Sequence, residues 1–435
     1  MKKFRSSKLS RLTDLGKALT KAGTHLLIEK VESQKSIENI RKLNAARELI
    51  LSMGELKGAV MKLGQMISVT EDLALPPEIV ELFKKLQKDA PTIPYSQMRE
   101  VFKSEIGDYP ENLFKEFNST PIASASIGQV YKAITKDGQE VAIKVQYPEI
   151  DLAIKNDLKN LDQLTKLFKI IFPQVPNLKP LIEELSASIL DECNYENELS
   201  NIQKFKALYA HHPNIFFQDP MLDYCTQKII TTKFIDGDNF DTIKNYQSEV
   251  RDSIGESLYQ FHLDQLFGKG FMHTDPQNGN YLFKGEKIFL LDCGSAKVFS
   301  EDFIMAYSLL TYSIRNNKKD LFHKALLSLG VITKEDSDEL IEHFLETAKS
   351  IYLPYTKEGC YAPEKINPID FVSNLFKRVK TLKNRPTPHQ DFVLLDRANI
   401  GIFTKLRALE AKIDWLSGIQ KYQAPKEEIA IKYFA

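Results

Sequence analysis

Apolar residues recur at helical spacing over residues 8–90. Leu12, Leu15, Leu19, Ala22, Leu26 and Leu27 follow an i, i+3, i+4, i+7 rhythm that predicts an amphipathic helix. A second helix is predicted from Ser36, an N-cap residue type, to Ser52, and a third over Leu56–Val69. Pro76-Pro77 and the Pro91–Pro94 stretch punctuate the region. The first apolar stripe has two fates open to it: packing on the rest of the chain, the commoner one, or lying on a membrane surface.

From about Phe117 the period shortens to two. Gln129–Ile134 and Glu140–Gln146 alternate apolar and polar positions, and Asp137-Gly138 between them predicts a two-residue hairpin. Helical patterning returns over Asp151–Phe172, stops at Pro173 and resumes from Pro180 to Tyr209. Gln227–Ile235 reads as a further strand, ended by Asp236-Gly237. Beyond Ser248 the chain is mainly helical, interrupted by a strand pair at Tyr281–Phe283 and Ile288–Leu291. A strand-bearing part followed by a larger helical part is an α+β arrangement.

Composition narrows the partners. The 435 residues are 43% apolar and 27% charged, ordinary for a globular chain with a sizeable core. Lys plus Arg and Asp plus Glu are 58 each, so no bulk charge draws the chain to nucleic acid, and none is expected as a partner. Cys193, Cys225, Cys293 and Cys360 form no CxxC pair, which argues for a reducing compartment and against a structural metal or disulfide framework. No apolar run approaches the ~18 residues of a membrane span. The opening MKKFRSSKLSRL is basic without a following apolar region. It reads as a basic helix start on a cytoplasmic protein, with a short organellar transit peptide as the alternative.

Four elements carry candidate chemistry, and their order matters more than any one of them. Pro121–Val130, PIASASIGQV, is a run of small residues leading into the hairpin; small side chains let backbone N–H groups approach phosphate oxygens. Alone it is equally a loop between core elements. Val141-Ala142-Ile143-Lys144 puts a Lys in a strand suited to burial, where a cation needs an anionic partner, although an alternating strand also points lysines to solvent. In His273-Thr274-Asp275-Pro276-Gln277-Asn278-Gly279-Asn280, the acid and the amide stand five residues apart, as in the kinase catalytic loop. A polar turn would use the same Pro, Gly and Asn residues. Leu290-Leu291-Asp292-Cys293-Gly294 ends an apolar strand in an Asp and a small turn, the pattern of a kinase metal-binding Asp. A small-residue loop, then a Lys, then acid plus amide, then a strand-ending Asp is the order a kinase-like phosphate site requires.

With these residues in view, most of the chain, from about Ile40 to Trp415, resembles the UbiB/AarF family of atypical kinase-like proteins. Met61-Lys62-Leu63-Gly64-Gln65 resembles the family's KxGQ signature, PIASASIGQV its alanine-rich loop, and HTDPQNGN its HxDPxxGN loop. Glu192-Cys193-Asn194-Tyr195-Glu196-Asn197-Glu198 is similar to its ExD…E segment, and Leu394-Leu395-Asp396-Arg397-Ala398 to a segment of its helical lobe. The resemblance implies a bilobal protein-kinase-like α+β fold in three parts. These are an N-terminal helical extension over 1–116 that covers the active site, a small lobe with inserted helices over 117–235, and a helical lobe over 236–435.

The same resemblance implies roles. ATP or ADP would be bound by Ala123, Ser124, Ala125, Ser126, Ile127, Gly128, Val130, Ala142 and Lys144. Glu198 would orient Lys144, Asn280 and Asp292 would bind Mg2+, and Asp275 would act as base or water orienter. Lys62, Gly64, Gln65 and Glu192 would form a regulatory lid. It also implies a place in ubiquinone or quinone-lipid biosynthesis, with quinone-biosynthesis proteins or isoprenoid lipids as partners. The expected location is the cytoplasm with peripheral contact at the inner membrane, or the mitochondrion in a eukaryote. The polar end, QKYQAPKEEIAIKYFA, lacks the hydrophobic segment some relatives carry, so membrane contact is expected to be peripheral.

Four positions depart from the family pattern: Ser124 for Ala, Asn194 for the ExD aspartate, and Gln277 and Asn278 for His and Pro. The Asn194 exchange removes a carboxylate that would face metal or Lys62. After Asp292 the chain reads as a short turn and a helix, GSAKVFSEDFIMAYSLL, with no long activation segment. Ala362-Pro363-Glu364, far downstream, is read as coincidence. The leading reading is therefore a magnesium-dependent ATPase or small-molecule kinase. The alternatives are a protein kinase with an unusual substrate platform and a non-enzymatic nucleotide-dependent switch or lipid-binding accessory protein.

Overall fold

In the computed structural model the described residues are 93–125, 127–152, 193–352, 357–363 and 390–434. The expected helices of the first ninety residues, residues 153–172 of the expected inserted helix and residues 180–192 of the following one therefore lie outside the described residues, as do Lys62, Gly64, Gln65, Ser126 and Glu192. The chain divides into two compact units, one of residues 1–199 and 219–234, the other of 200–218 and 235–435.

The first unit is built on an antiparallel sheet. Its strands are β1 (Glu116–Phe117), β2 (Ala123–Ser124), β3 (Gly128–Ile134), β4 (Glu140–Gln146) and β6 (Ile229–Lys233), with β1 and β2 both on β3 and the order running β3-β4-β6. Tyr131, Ala133, Val141, Ile143 and Val145 alternate onto one buried face, as a period of two demands. Helix α1 (Tyr95–Glu105) contributes Met98, Val101 and Phe102 to the core of this unit. The hairpin differs from the two-residue turn expected. Thr135 and Gln139 still pair, Thr135 N–H donating to Gln139 O at 2.9 Å, so the loop is Lys136-Asp137-Gly138. Gly138 takes φ +87°, the left-handed residue that closes a three-residue loop, while Asp137 accepts from the Thr135 hydroxyl.

The second unit is helical with two small sheets. Strand β5 (Ile215–Phe217) pairs in parallel with β9 (Lys287–Leu290), which pairs antiparallel with β8 (Tyr281–Lys284). Strand β7 (Phe271–His273) pairs antiparallel with β10 (Ala296–Val298). Strands β5, β7 and β10 were not expected. The turn-and-helix reading after Asp292 is corrected accordingly: a strand stands at Ala296–Val298 before helix α4 (Glu301–Arg315) begins on its Ser300 cap. Three-residue strands are too short for alternation to register, and pairing alone fixes them. Helices α3 (Ser248–Leu263), α4, α5 (Lys319–Ser328), α6 (Asp338–Tyr352), α7 (Gln390–Leu409) and α8 (Ala424–Phe434) complete the unit. They share one core, in which Leu258, Phe261, Leu309, Phe344, Leu406 and Trp415 are buried. No helix among the described residues is long and apolar enough to cross a membrane.

Candidate functional site

In the first unit, strand pairing collects three expected residues. Val130 of β3 lies directly opposite Lys144 of β4, and Ala142 stands two residues before Lys144. All three are half-buried on the sheet face opposite Tyr131, Ile143 and Val145. One face thus offers a small apolar patch with a cation at its end.

That cation is paired. Lys144 Nζ lies 2.8 Å from Glu198 Oε2 and 3.1 Å from Oε1, and 5.0 Å from the centroid of the Tyr195 ring. Glu198 is 3% exposed, and a carboxylate at that depth needs its cation. It sits in the first turn of helix α2 (Tyr195–Leu208), where the helix dipole favours an anion. Asn194, immediately before the helix, accepts from the Glu196 N–H at 3.0 Å. Capping is a task Asn performs as well as Asp, so the departure at 194 keeps the helix start intact while removing a charge.

The small-residue loop divides by cause. Ala123 and Ser124 are exposed and Ala125 half-buried, its N–H donating to Gly128 O at 2.9 Å. Ile127 is buried. A Cβ on Gly128 would stand 2.2 Å from Val145 O, so the glycine is required by the close approach of β3 and β4. Among the described residues of the loop, the 123–125 part leaves its smallness free for a ligand.

In the second unit, His273 closes β7 and its Nε2–H donates to the Asp292 carbonyl at 2.8 Å. Burial holds the His273 imidazole below its ordinary pKa, against the pull of Asp275 and Asp292. Thr274 N–H donates to Ser295 O at 2.9 Å, continuing the β7–β10 ladder to the edge of Asp275. The chain then turns through Asn278–Asn280. Asn280 Nδ2 donates to Asp275 Oδ2 at 3.1 Å, and Leu291 N–H donates to the Asn280 carbonyl at 2.9 Å. Asp292 Oδ1 accepts from Gly294 N–H at 2.8 Å, a local Asx turn, and Asn201 Nδ2 donates to the Cys293 carbonyl at 2.9 Å. Asp275, Asn280 and Asp292 are thus brought together by short backbone and side-chain bonds.

The donor set suits magnesium. Asn280 uses its NH2 end on Asp275, which turns the amide oxygen into the end available to a hard cation, and Asp292 supplies a carboxylate. Magnesium needs only one or two such protein oxygens when phosphates and water complete its shell. Among the described residues no group of three or more His, Cys, Asp or Glu forms a self-sufficient metal cage.

Two further residues at this site escaped the sequence reading. Lys405, 3% exposed on α7, donates through Nζ to the Pro276 carbonyl and lies 4.9 Å from the centroid of the Tyr281 ring. Burial pulls its ammonium down to about 8, against the pull of Asp275. Gly401, one turn earlier, abuts Pro276 itself. A signal existed: Ile402, Lys405, Leu406 and Leu409 keep i, i+3, i+4, i+7 spacing, which puts a cation on an apolar stripe.

Comparison with known proteins gives three results. The ABC1 atypical kinase-like domain matches residues 85–325. Among curated proteins, "Probable serine/threonine-protein kinase abkA" of Dictyostelium discoideum is 31% identical over 80% of this chain and 65% of its own length. "Atypical kinase COQ8, mitochondrial" of Saccharomyces cerevisiae is 29% identical over 80% of this chain and 71% of its own. The chain thus spans about two thirds of the length of these relatives. Among solved structures, the complex of Rv3197 with erythromycin from Mycobacterium tuberculosis is 27% identical, with a TM-score of 0.60 over 90% of this chain and 98% of that one.

Proposed function

The chain belongs to the ABC1 atypical kinase-like family, the UbiB/AarF group with a protein-kinase-like α+β fold, and on that premise we propose that it binds a magnesium adenine nucleotide and transfers its terminal phosphoryl group to water or a small molecule. The observation that carries the proposal is the Asp275–Asn280 contact at 3.1 Å beside Asp292, in the order and spacing of a kinase catalytic loop.

In this reading Lys144 holds nucleotide phosphates and Glu198 keeps its ammonium oriented, as the 2.8 Å pair would allow. The patch made by Val130 and Ala142 takes the adenine ring, and the open backbone at Ala123, Ser124 and Ala125 faces phosphate oxygens, with Ser126, Ile127 and Gly128 completing the loop. Asn280 and Asp292 would hold magnesium, which when bound would offset charge on the phosphates. Asp275 accepts or orients the proton of the attacking hydroxyl. Lys62, Gly64, Gln65 and Glu192 are assigned to a lid over the nucleotide within the 1–116 extension and the inserted segment.

The stretch after Asp292 bears on the acceptor. A strand at Ala296–Val298 and a helix from Glu301 follow at once, leaving no long segment to build a peptide platform. This favours water or a small molecule over a protein. The family resemblance supports a role in ubiquinone or quinone-lipid biosynthesis, with quinone-biosynthesis proteins or isoprenoid lipids as partners and peripheral membrane contact. The word "mitochondrial" in the yeast relative's name supports that compartment if the source is eukaryotic.

The test is a thermal-shift titration with ADP and ATP, with and without magnesium, on wild type and Asp292→Asn. Magnesium-dependent stabilisation is expected for wild type only, and equal shifts in both proteins would remove the metal site. ATP hydrolysis without protein substrate is expected, and is expected to vanish in Asp275→Asn. Stabilisation without turnover, with lipids and quinone precursors present, would favour the nucleotide switch. Phosphate transfer to a defined protein would overturn the choice of acceptor.

A further inference from the structure

We propose that Lys405 is a positioning residue that pins the Asp275–Asn280 loop from helix α7 through the Pro276 carbonyl. Its expected kinetic effect rests on the phosphoryl-transfer reading above; the positioning itself does not.

Three observations converge. First, Lys405 is almost fully buried on the core-facing stripe of α7, flanked by Ile402 and Leu406, and its Nζ donates to Pro276 O. A buried ammonium is costly, so an apolar side chain there would pack at lower cost unless the contact it makes is needed. Second, Gly401 lies one turn earlier on the same face, where residues four apart sit one above the other. A Cβ at 401 would stand 2.0 Å from Pro276 Cβ and 2.2 Å from its Cγ. The absence of that atom lets the helix backbone reach Pro276, and the approach brings Lys405 within reach of the Pro276 carbonyl. Third, the start of α7 is tied to the strand that follows Asp292. Asp391, 5% exposed, lies 2.7 Å from Lys297 Nζ on β10. The helix therefore touches both the loop that follows Asp275 and the strand that begins four residues after Asp292.

Pro276 is the point at which such a grip is most useful. It separates Asp275 from the turn that delivers Asn280, and its ring already fixes φ. Holding its carbonyl also restrains its ψ, the second backbone rotation of the residue that follows the acid. The aromatic face of Tyr281, next to Asn280, lies against the same ammonium, so Lys405 touches the loop at its start and at its exit.

The experiment uses the full chain as wild type, Lys405→Met, Lys405→Arg and Gly401→Ala. The Met variant removes the donor at similar volume, and the Ala variant keeps the donor but pushes the helix off Pro276. Hydrogen exchange is followed by mass spectrometry in peptides covering 271–283 and, as a reference, 301–315. Exchange in 271–283 is expected to rise at least about tenfold in Lys405→Met and Gly401→Ala with 301–315 unchanged. In the kinetic arm, kcat for ATP hydrolysis is expected to fall roughly 10- to 100-fold, the scale of a small misplacement of reacting groups, with KM for MgATP within about threefold. Lys405→Arg, still a donor, is expected to recover part of the loss.

Unchanged exchange over 271–283 in Lys405→Met would overturn the proposal. So would loosening spread equally over both peptides in both variants, the mark of a merely structural core residue. Should wild type hydrolyse no ATP, the exchange arm alone decides the positioning role. Local loosening would then uphold it while the turnover reading fails.

Discussion

At the residue scale the Lys144–Glu198 pair is the most exposed to test, because burial makes each partner depend on the other. Lys144→Met leaves Glu198 enclosed beside Tyr195 and is expected to cost about 3 kcal/mol in urea denaturation, the usual penalty for removing one half of a buried pair. Lys144→Met/Glu198→Gln is expected to return part of that loss; strict additivity of the two single changes would show that the pair carries no coupling. A second residue predicts acid sensitivity. His262 donates from Nε2 to Asn399 Oδ1 at 2.8 Å, and Asn399 Nδ2 donates to the Tyr307 hydroxyl at 3.0 Å. Burial lowers the His262 pKa to about 4, with the Asn399 bond opposing and Lys405 adding to the shift. An unfolded His titrates near 6.5, so between about pH 6.5 and 4 the unfolded chain binds the extra proton. This contribution to stability is complete above about 6.5 and is lost as the pH falls through about 4, roughly 3 kcal/mol in all. His262→Gln should flatten the stability profile between about pH 6.5 and 5, above the range where most carboxylates titrate. A slope equal to wild type would assign the acid loss to other groups.

At the scale of elements, helix α8 is held to α4 by a buried charge. Glu427, 2% exposed, pairs with Arg315 and accepts from the Thr311 hydroxyl at 2.9 Å. Burial raises its carboxyl pKa, and Arg315 and Thr311 oppose the rise. Glu427→Ala strands the Arg315 guanidinium and is expected to cost about 3–5 kcal/mol, while Glu427→Gln, which keeps an acceptor for Thr311, should cost less. Equal losses in chemical denaturation would put the whole effect in packing. Elements also show where the sequence was legible. β4 was expected over Glu140–Gln146 and stands there, because seven alternating residues are long enough to display a period. β5, β7 and β10, three residues each, display none, and β10 was consequently read as part of a turn. The hairpin dipeptide located its turn correctly but not its length, since Asp-Gly also serves the last two positions of a three-residue loop. Site residues followed the same logic. Asp275, Asn280 and Asp292 lie in continuous stretches and were readable. Lys405 and Gly401 act on Pro276 from more than a hundred residues away, and only the break in an apolar stripe marked Lys405.

At the scale of the molecule, the two units have different kinds of core, and this bears on how the chain unfolds. Among the described residues, the first has its buried side chains on one face of a short sheet, with Tyr131, Ile143 and Phe102 among them. The second has a helical core reaching from Ile202 to Ala430. Chains with separate cores commonly depart from two-state unfolding, so the calorimetric enthalpy is expected to exceed the van't Hoff enthalpy. Substitutions in each unit then become markers. Lys144→Met falls in the first unit and Glu427→Ala in the core of the second, so each is expected to lower a different step of the thermogram. Nucleotide adds a further arm. A ligand that binds only the folded chain stabilises by mass action, about 2.7 kcal/mol at a hundred times its dissociation constant. If MgADP engages Lys144 as well as Asn280 and Asp292, it should raise the step sensitive to Lys144→Met and the step sensitive to Glu427→Ala together. ADP without magnesium should shift both by less. A magnesium-dependent shift confined to the second step would leave Lys144 out of the nucleotide site. A single transition lowered equally by both substitutions would mean that the chain melts as one cooperative body.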